Sequence, residues 1–159
     1  MIKVGDRLPS VKLREVKDGT VSETTSDAYF AGKKVALFGV PGAFTSTCSA
    51  KHLPSYANNA ESLKAKGVDE IACISVNDAA VMRAWAEHSK TVEHVTMLAD
   101  GNGEFTHAVG LDVDMAKNGM GRRSRRYSML VDDCVVKQFY LEEPGGFGIS
   151  SGDHLLTMI

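Results

Sequence analysis

The chain is short of several features at once. Its 159 residues include only three cysteines, Cys48, Cys73 and Cys134. The number is odd, the spacings are 25 and 61 residues, and no CxxC occurs. These facts disfavour a disulfide framework, a four-cysteine zinc site and a CxxC oxidoreductase centre. No apolar run approaches the roughly 20 residues of a membrane-spanning helix. Neither charge dominates: 18 Lys and Arg stand against 20 Asp and Glu, a formal net charge of -2. That balance argues against nucleic acid or a membrane surface as partner. Repeats, low-complexity tracts and linkers are also missing. The first residues, Met1-Ile2-Lys3-Val4-Gly5-Asp6, form neither an apolar signal core nor an Arg- and Ser-rich transit segment, which predicts a cytoplasmic protein. Length, with 43% hydrophobic and 24% charged residues, predicts one globular domain over residues 1–159.

What is present is an alternation of strands and helices. Val35–Val40, Ile71–Val76 and Val95–Leu98 are short apolar runs that suit strands buried on both faces. Tyr127–Val131 and Val135–Tyr140 read as a hairpin joined through Asp132-Asp133-Cys134, which leaves Cys134 exposed in the turn. Up to Phe30 the pattern predicts edge strands, with Lys17-Asp18-Gly19-Thr20 as a hairpin turn. Between these, residues 45–66 predict one helix, kinked at Pro54 and stopped by Gly67. Asn77 is the expected N-cap of a second helix with Val81, Ala84, Trp85 and His88 on its inner face. A shorter helix follows Gly103, and another starts near Ser151. The segment from Lys117 to Arg126, with five basic residues and two glycines, predicts a loop. The whole is an α/β layer fold.

Chemistry gathers after the first buried strand, in Pro41-Gly42-Ala43-Phe44-Thr45-Ser46-Thr47-Cys48-Ser49. Cys48 falls in the first helical turn, where unpaired N–H groups and the helix dipole favour an anion. A thiol there ionises more readily and becomes a nucleophile. The Thr45 hydroxyl, three residues earlier, is within reach of the sulfur. The alternative is a small buried hydrophobe. His52 follows Cys48 by one helical turn and is a base, half a metal site or a packed histidine; the other histidines are scattered, which disfavours a metal. The run Arg122-Arg123-Ser124-Arg125-Arg126 is an anion patch, a solvated loop or the donor of one arginine to a site. Arg126 directly precedes a strand and is held well enough to aim a guanidinium inward, where it would support a thiolate and bind oxygen atoms.

Pro41-x-x-x-Thr45-x-x-Cys48 resembles the active-site pattern of the peroxiredoxins. The wider stretch from Gly39 to Pro54, then Lys66–Cys73, Ser75–Asp78 and Arg126–Met129, resembles the type II, peroxiredoxin-5-like group, in order across nearly the whole chain. The resemblance implies a thioredoxin-like fold, a central mixed sheet flanked by helices. It implies reduction of hydrogen peroxide and organic hydroperoxides without metal or other cofactor. Cys48 would be the peroxidatic cysteine, and Thr45 and Arg126 would hold the peroxide oxygens. Pro41 would shield the pocket, which Gly42, Phe44 and Thr47 would help to form. Some members carry a resolving cysteine near the C-terminus, where this chain has Ser150-Ser151. Others carry one where Cys73 stands, inside an apolar strand that favours a buried hydrophobe instead. The reading favoured here is an external thiol reductant, glutathione with glutaredoxin or thioredoxin. Ser46 departs from the proline common in the family. The resemblance also suggests a homodimer. Trp85 reads as a core residue, while Phe44 and Phe147 are set at the pocket rim or dimer face. The competing function is a thiol-based redox sensor on the same fold.

Overall fold

A computed structural model describes residues 1–159. Strands β1 (Lys12–Lys17) and β2 (Thr20–Thr25) form a hairpin, and α1 (Ser26–Phe30) follows. The turn between them has Asp18 and Gly19 both at positive φ, as a two-residue hairpin of primed type requires. Next come β3 (Lys34–Gly39), a π-helical turn (Cys48–His52), α2 (Leu53–Ala57), α3 (Ala60–Ala65) and β4 (Glu70–Ser75). Then follow α4 (Ala79–His88), β5 (Thr96–Ala99), α5 (Glu104–Ala108), β6 (Asp112–Asp114) and β7 (Arg122–Ser124). The chain finishes with β8 (Tyr127–Asp132), β9 (Val135–Leu141) and α6 (Gly152–Met158). No helix is long and apolar enough to cross a membrane.

Seven strands form one mixed sheet in the order β2-β1-β5-β4-β3-β8-β9. β3 pairs in parallel with β4, and antiparallel with β8. Alternate residues of the central strands feed opposite layers. Ala36, Phe38, Val40, Ile71 and Cys73 meet the π-helical turn, α2, α3, α4 and α6 through residues such as Cys48, Tyr56, Leu63, Trp85 and Leu155. Val35, Leu37, Ala72 and Ile74 meet the other layer, built on Tyr29, Phe30, Phe105 and Val109. The runs read as strands buried on both faces are so buried.

Residues 45–66 do not form one helix. The Leu53 N–H donates to the Cys48 carbonyl, five residues back, so a π-helical turn comes first. That wider turn precedes Pro54, which has no N–H and crowds the carbonyl four residues before it. A second break follows α2, where the Asn59 side-chain amide donates to the Ser55 carbonyl at 2.7 Å. Asp78, not Asn77, caps α4, accepting from Val81 N at 2.9 Å. The buried face of α4 carries Met82, Trp85 and Ala86, while Ala84 and His88 are exposed. Trp85 is the largest side chain on the helix, and its burial selects the stripe beside it. The predicted basic loop contains β7, paired with β6 in a two-stranded ribbon. Arg122 donates across that ribbon to Asp112, at 2.9 and 3.1 Å.

Cys134 is buried, not exposed. Asp133 and Cys134 form the two-residue turn of the β8–β9 hairpin, with φ of 46° and 70°. This turn points the thiol inward, toward the Asp27 carbonyl at 3.6 Å. Burial pushes its pKa up.

Gly39 ends β3 opposite Tyr127. A Cβ there would overlap the rigid Tyr127 ring. Gly39→Ala is therefore expected to destabilise the protein by about 1–3 kcal/mol through overpacking. Urea denaturation measures this, and an unchanged midpoint would contradict the packing described.

Candidate functional site

Register places the site. Gly39 at the end of β3 faces Tyr127 at the start of β8. The segment leaving β3 and the residue entering β8 therefore emerge at the same end of the sheet. Pro41 to Cys48 come from the first and Arg126 from the second. The loop after β3 is tied down by Asn77, whose Oδ1 accepts from Ala43 N at 3.0 Å and Ser75 Oγ at 2.6 Å. Asn77, read as a helix cap, is a loop anchor instead.

Cys48 opens the π-helical turn with its side chain fully buried. Arg126 Nη2 donates to Cys48 Sγ at 3.2 Å. The other arginines of the basic run are engaged elsewhere. Arg122 is bound to Asp112. Arg123 donates to the Met120 and Val76 carbonyls, at 2.8 and 3.2 Å. Arg125 donates to the Glu142 carbonyl at 3.3 Å. Of the readings of the basic run, the structure selects one arginine at the thiol. Thr45 sits beside the turn, and its hydroxyl donates to the Gly42 carbonyl at 2.7 Å. This bond fixes the hydroxyl's proton and leaves its lone pairs able to accept.

An open cleft of about 320 Å³ lies in front of these groups, lined by Pro41, Thr45, Thr47, Met120 and Arg126 among others. Arg126 lines the cleft and touches the sulfur behind it. Gly42 is buried beneath the loop, where a Cβ would crowd Arg123 and Met120. Phe44 does not line the cleft. It has φ of 64°, which turns its half-exposed ring outward, 5.7 Å from the His88 ring. A larger cleft of about 810 Å³, bordered by Lys12, Arg14, Asp78 and Asp100, contains no cysteine or histidine.

His52 is the residue whose place the sequence left open. It is fully buried, packed 4.8 Å from the Phe38 ring and 5.2 Å from Phe147. Its Nε2 lies 3.0 Å from the Ser150 carbonyl, and its Nδ1 lies 2.9 Å from Arg126 Nη1. A carbonyl can only accept and a guanidinium can only donate. The ring is therefore the neutral tautomer with its proton on Nε2, and Nδ1 accepts from Arg126. Burial and the Arg126 charge together hold its pKa down to about 3. His52 is neither a base nor a metal ligand in this arrangement; it orients Arg126.

Cys73, in β4, lies in the same layer as Cys48. Its complete burial, with the nearby Cys48, pushes its pKa well up, so it stays a thiol. Trp85 is a core residue, as expected, and its Nε1 also donates to Ser49 Oγ at 3.0 Å, joining α4 to the cysteine turn.

The His52 arrangement has a pH signature. An unfolded histidine titrates near 6.5, whereas folded His52 titrates near 3. As pH falls below about 6.5, the unfolded chain binds a proton that the folded chain refuses, so His52 makes stability fall with pH by up to about 1.4 kcal/mol per unit. The measurement is NMR of the His52 ring nitrogens. They should keep the Nε2–H pattern from pH 8 to 5; a titration near 6.5 would contradict the assignment.

The Redoxin family model matches residues 3–155. Peroxiredoxin-2B of Arabidopsis thaliana is 48% identical over 159 residues, spanning 99% of this chain and 98% of that protein. Reduced Prx3 from Vibrio vulnificus, solved in complex with H2O2, superposes with a TM-score of 0.94 at 47% identity over 99% of each chain. Peroxiredoxin 5 from Alvinella pompejana gives 0.87 at 36% identity, covering 99% of this chain and 97% of that one. The mixed sheet flanked by helices is thus the thioredoxin-like fold of these neighbours. The chain belongs to the Redoxin family, and within it to the type II, peroxiredoxin-5-like peroxiredoxins, which are thiol peroxidases.

Proposed function

We propose that Cys48 is the peroxidatic cysteine of this thiol peroxidase and that Arg126 and Thr45 hold the peroxide. The observation that carries the reading is the Arg126 guanidinium, 3.2 Å from Cys48 Sγ. A fixed cation beside sulfur favours the thiolate, the nucleophilic form. The thiolate attacks the terminal oxygen of R–O–O–H. An S–O bond forms, the O–O bond breaks, and sulfur is oxidised to the sulfenic acid, Cys48–S–OH. The electron pair of the O–O bond leaves on RO⁻, which takes a proton to give the alcohol, or water when R is hydrogen. Arg126 faces the cleft where this charge develops, and such a preorganised donor stabilises it most, while the Thr45 hydroxyl, its own proton on the Gly42 carbonyl, accepts from the peroxide O–H. Pro41 and Thr47 shape the entry, buried Gly42 leaves room for Arg123 and Met120 beneath it, and Met120 supplies an apolar wall for an organic hydroperoxide.

The sulfenic acid is reduced by an external thiol. One thiol displaces water to give a mixed disulfide, and a second releases Cys48 as a thiol. Glutathione with glutaredoxin, or thioredoxin, fits this step. Support comes from Cys73, buried in a strand and held as a thiol, and from Ser150 at the other position expected of a resolving cysteine.

Stopped-flow rates with peroxide test the assignment. Cys48→Ser should abolish turnover, and retained activity would remove the reading. Arg126→Ala should slow the peroxide step by about 100-fold, in the range seen when one transition-state donor is lost, while Arg122→Ala changes it little. A wild-type rate no faster than that of free cysteine would favour the redox sensor. Mass spectrometry after one equivalent of peroxide should find the added oxygen on Cys48 in both wild type and Cys73→Ser. A Cys48–Cys73 bridge would instead make Cys73 the resolving thiol.

The same reading includes a homodimer packed through the face that carries Phe44. This bulky residue is half-exposed and held at φ of 64°, a conformation that costs on the order of 1–3 kcal/mol unless something rewards it. Sedimentation should show a dimer for the wild type and a monomer for Phe44→Asp. A monomeric wild type would rule the dimer out.

A further inference from the structure

A mostly buried carboxylate borders the same cleft with no step of the peroxide chemistry assigned to it. Glu142 follows β9 and is 8% exposed. Its Oε2 accepts three hydrogen bonds, from Gly148 N at 2.6 Å, Ser150 N at 2.9 Å and Ser150 Oγ at 2.7 Å. No ion pair involves it: Arg125, the nearest basic side chain bonded to this residue, reaches only its backbone carbonyl. All three donors belong to the loop between β9 and α6. Burial pushes the carboxyl's pKa up, but the bonds from Ser150 and Gly148 outweigh this and hold it below the usual range. The clamp is therefore made by the charged carboxylate.

The clamped loop has one inward-facing acceptor that matters to Cys48. The Ser150 carbonyl accepts from both His52 Nε2 at 3.0 Å and Tyr56 Oη at 2.9 Å. The same loop lays Phe147 against the His52 ring. If this carbonyl moved away, the imidazole proton would lose its acceptor at Nε2, and only Arg126 would oppose its shift to Nδ1. The other tautomer would turn an N–H toward Arg126 Nη1 in place of a lone pair. Two donors would then face each other at 2.9 Å, and the guanidinium would have to move. Glu142 also binds the Arg126 segment through its backbone, its N–H donating to the Arg126 carbonyl at 3.0 Å.

We propose that Glu142 is a positioning residue for Arg126: its carboxylate clamps the loop so that the Ser150 carbonyl fixes the tautomer of His52 and keeps the guanidinium aimed at Cys48. This rests on the reading that Cys48 and Arg126 perform the chemistry.

The test uses the full chain and two readouts, the second-order rate with hydrogen peroxide and the NMR pattern of the His52 ring nitrogens. Glu142→Ala should slow the peroxide reaction by about tenfold, as small misplacements of catalytic groups do, and disturb the Nε2–H pattern of His52. Glu142→Gln, whose amide oxygen can still accept from the loop, should recover most of the rate. In a His52→Phe background, Glu142→Ala should add no further loss, because both changes act through one chain of contacts. A purely structural Glu142 would lower the melting temperature while leaving the rate and the His52 pattern unmoved, and that result overturns the proposal. An undiminished tenfold loss in the His52→Phe background also overturns it. Should Glu142→Ala fail to fold, Ser150→Ala removes one bond of the clamp. It should slow the reaction about threefold, the worth of one modest hydrogen bond, and no change in either readout counts against the proposal. Cys48→Ser is measured alongside. If it stays active, the site reading fails; if it is inactive and the Glu142 variants match wild type, only the role of Glu142 fails.

Discussion

A guanidinium cannot shed its charge, so wherever it is brought out of water it needs acceptors on every side. Arg126 meets this constraint with a sulfur on one amino group and a neutral imidazole nitrogen on the other. The second acceptor is the unusual choice. A carboxylate at position 52 would bind the arginine more strongly and neutralise it. Neutral His52 orients the group and leaves its full positive charge to the thiol. Much of the surrounding structure follows from keeping that histidine neutral: its burial among Phe38, Tyr56 and Phe147, and the carbonyl that takes its proton.

The sheet supplies the rest of the geometry. β8 lies antiparallel to β3 with Gly39 opposite Tyr127, so the chain leaves one strand and enters the other at a common end. Arg126 and the Pro41–Cys48 segment converge there although they are distant in sequence. The absence of a side chain at Gly39 is what lets the Tyr127 ring lie across the strand. Placement of the arginine therefore depends on a packing detail in the opposite layer.

Legibility in the sequence followed length scale. The strands of residues 35–40 and 71–76 were plain because an apolar run buried on both faces is a local signal. Cys48, Thr45 and Arg126 were visible as residue types next to element ends. The helix expected over residues 45–66 differs from the structure because apolar spacing is nearly the same for a continuous helix and for three short pieces. Its breaks arise from a hydrogen bond shifted by one residue and from the Asn59 side chain. The buried face of α4 depended on which stripe the sheet would meet. Cys134 looked exposed because a turn is usually at the surface, yet positive φ directs its side chain inward. The sequence leaves His52 open because its tautomer depends on Ser150 and Arg126, 98 and 74 residues away. Glu142 gave no signal, since its partners are mostly backbone amides.

All three thiols are buried. The resting surface thus carries no sulfhydryl group, even though sulfur is the reactive element of the protein. A bulky thiol reagent added to the native protein meets none of them directly and must wait for the chain to open. Its rate of labelling at each cysteine is then a clock for excursions of the segment that buries it.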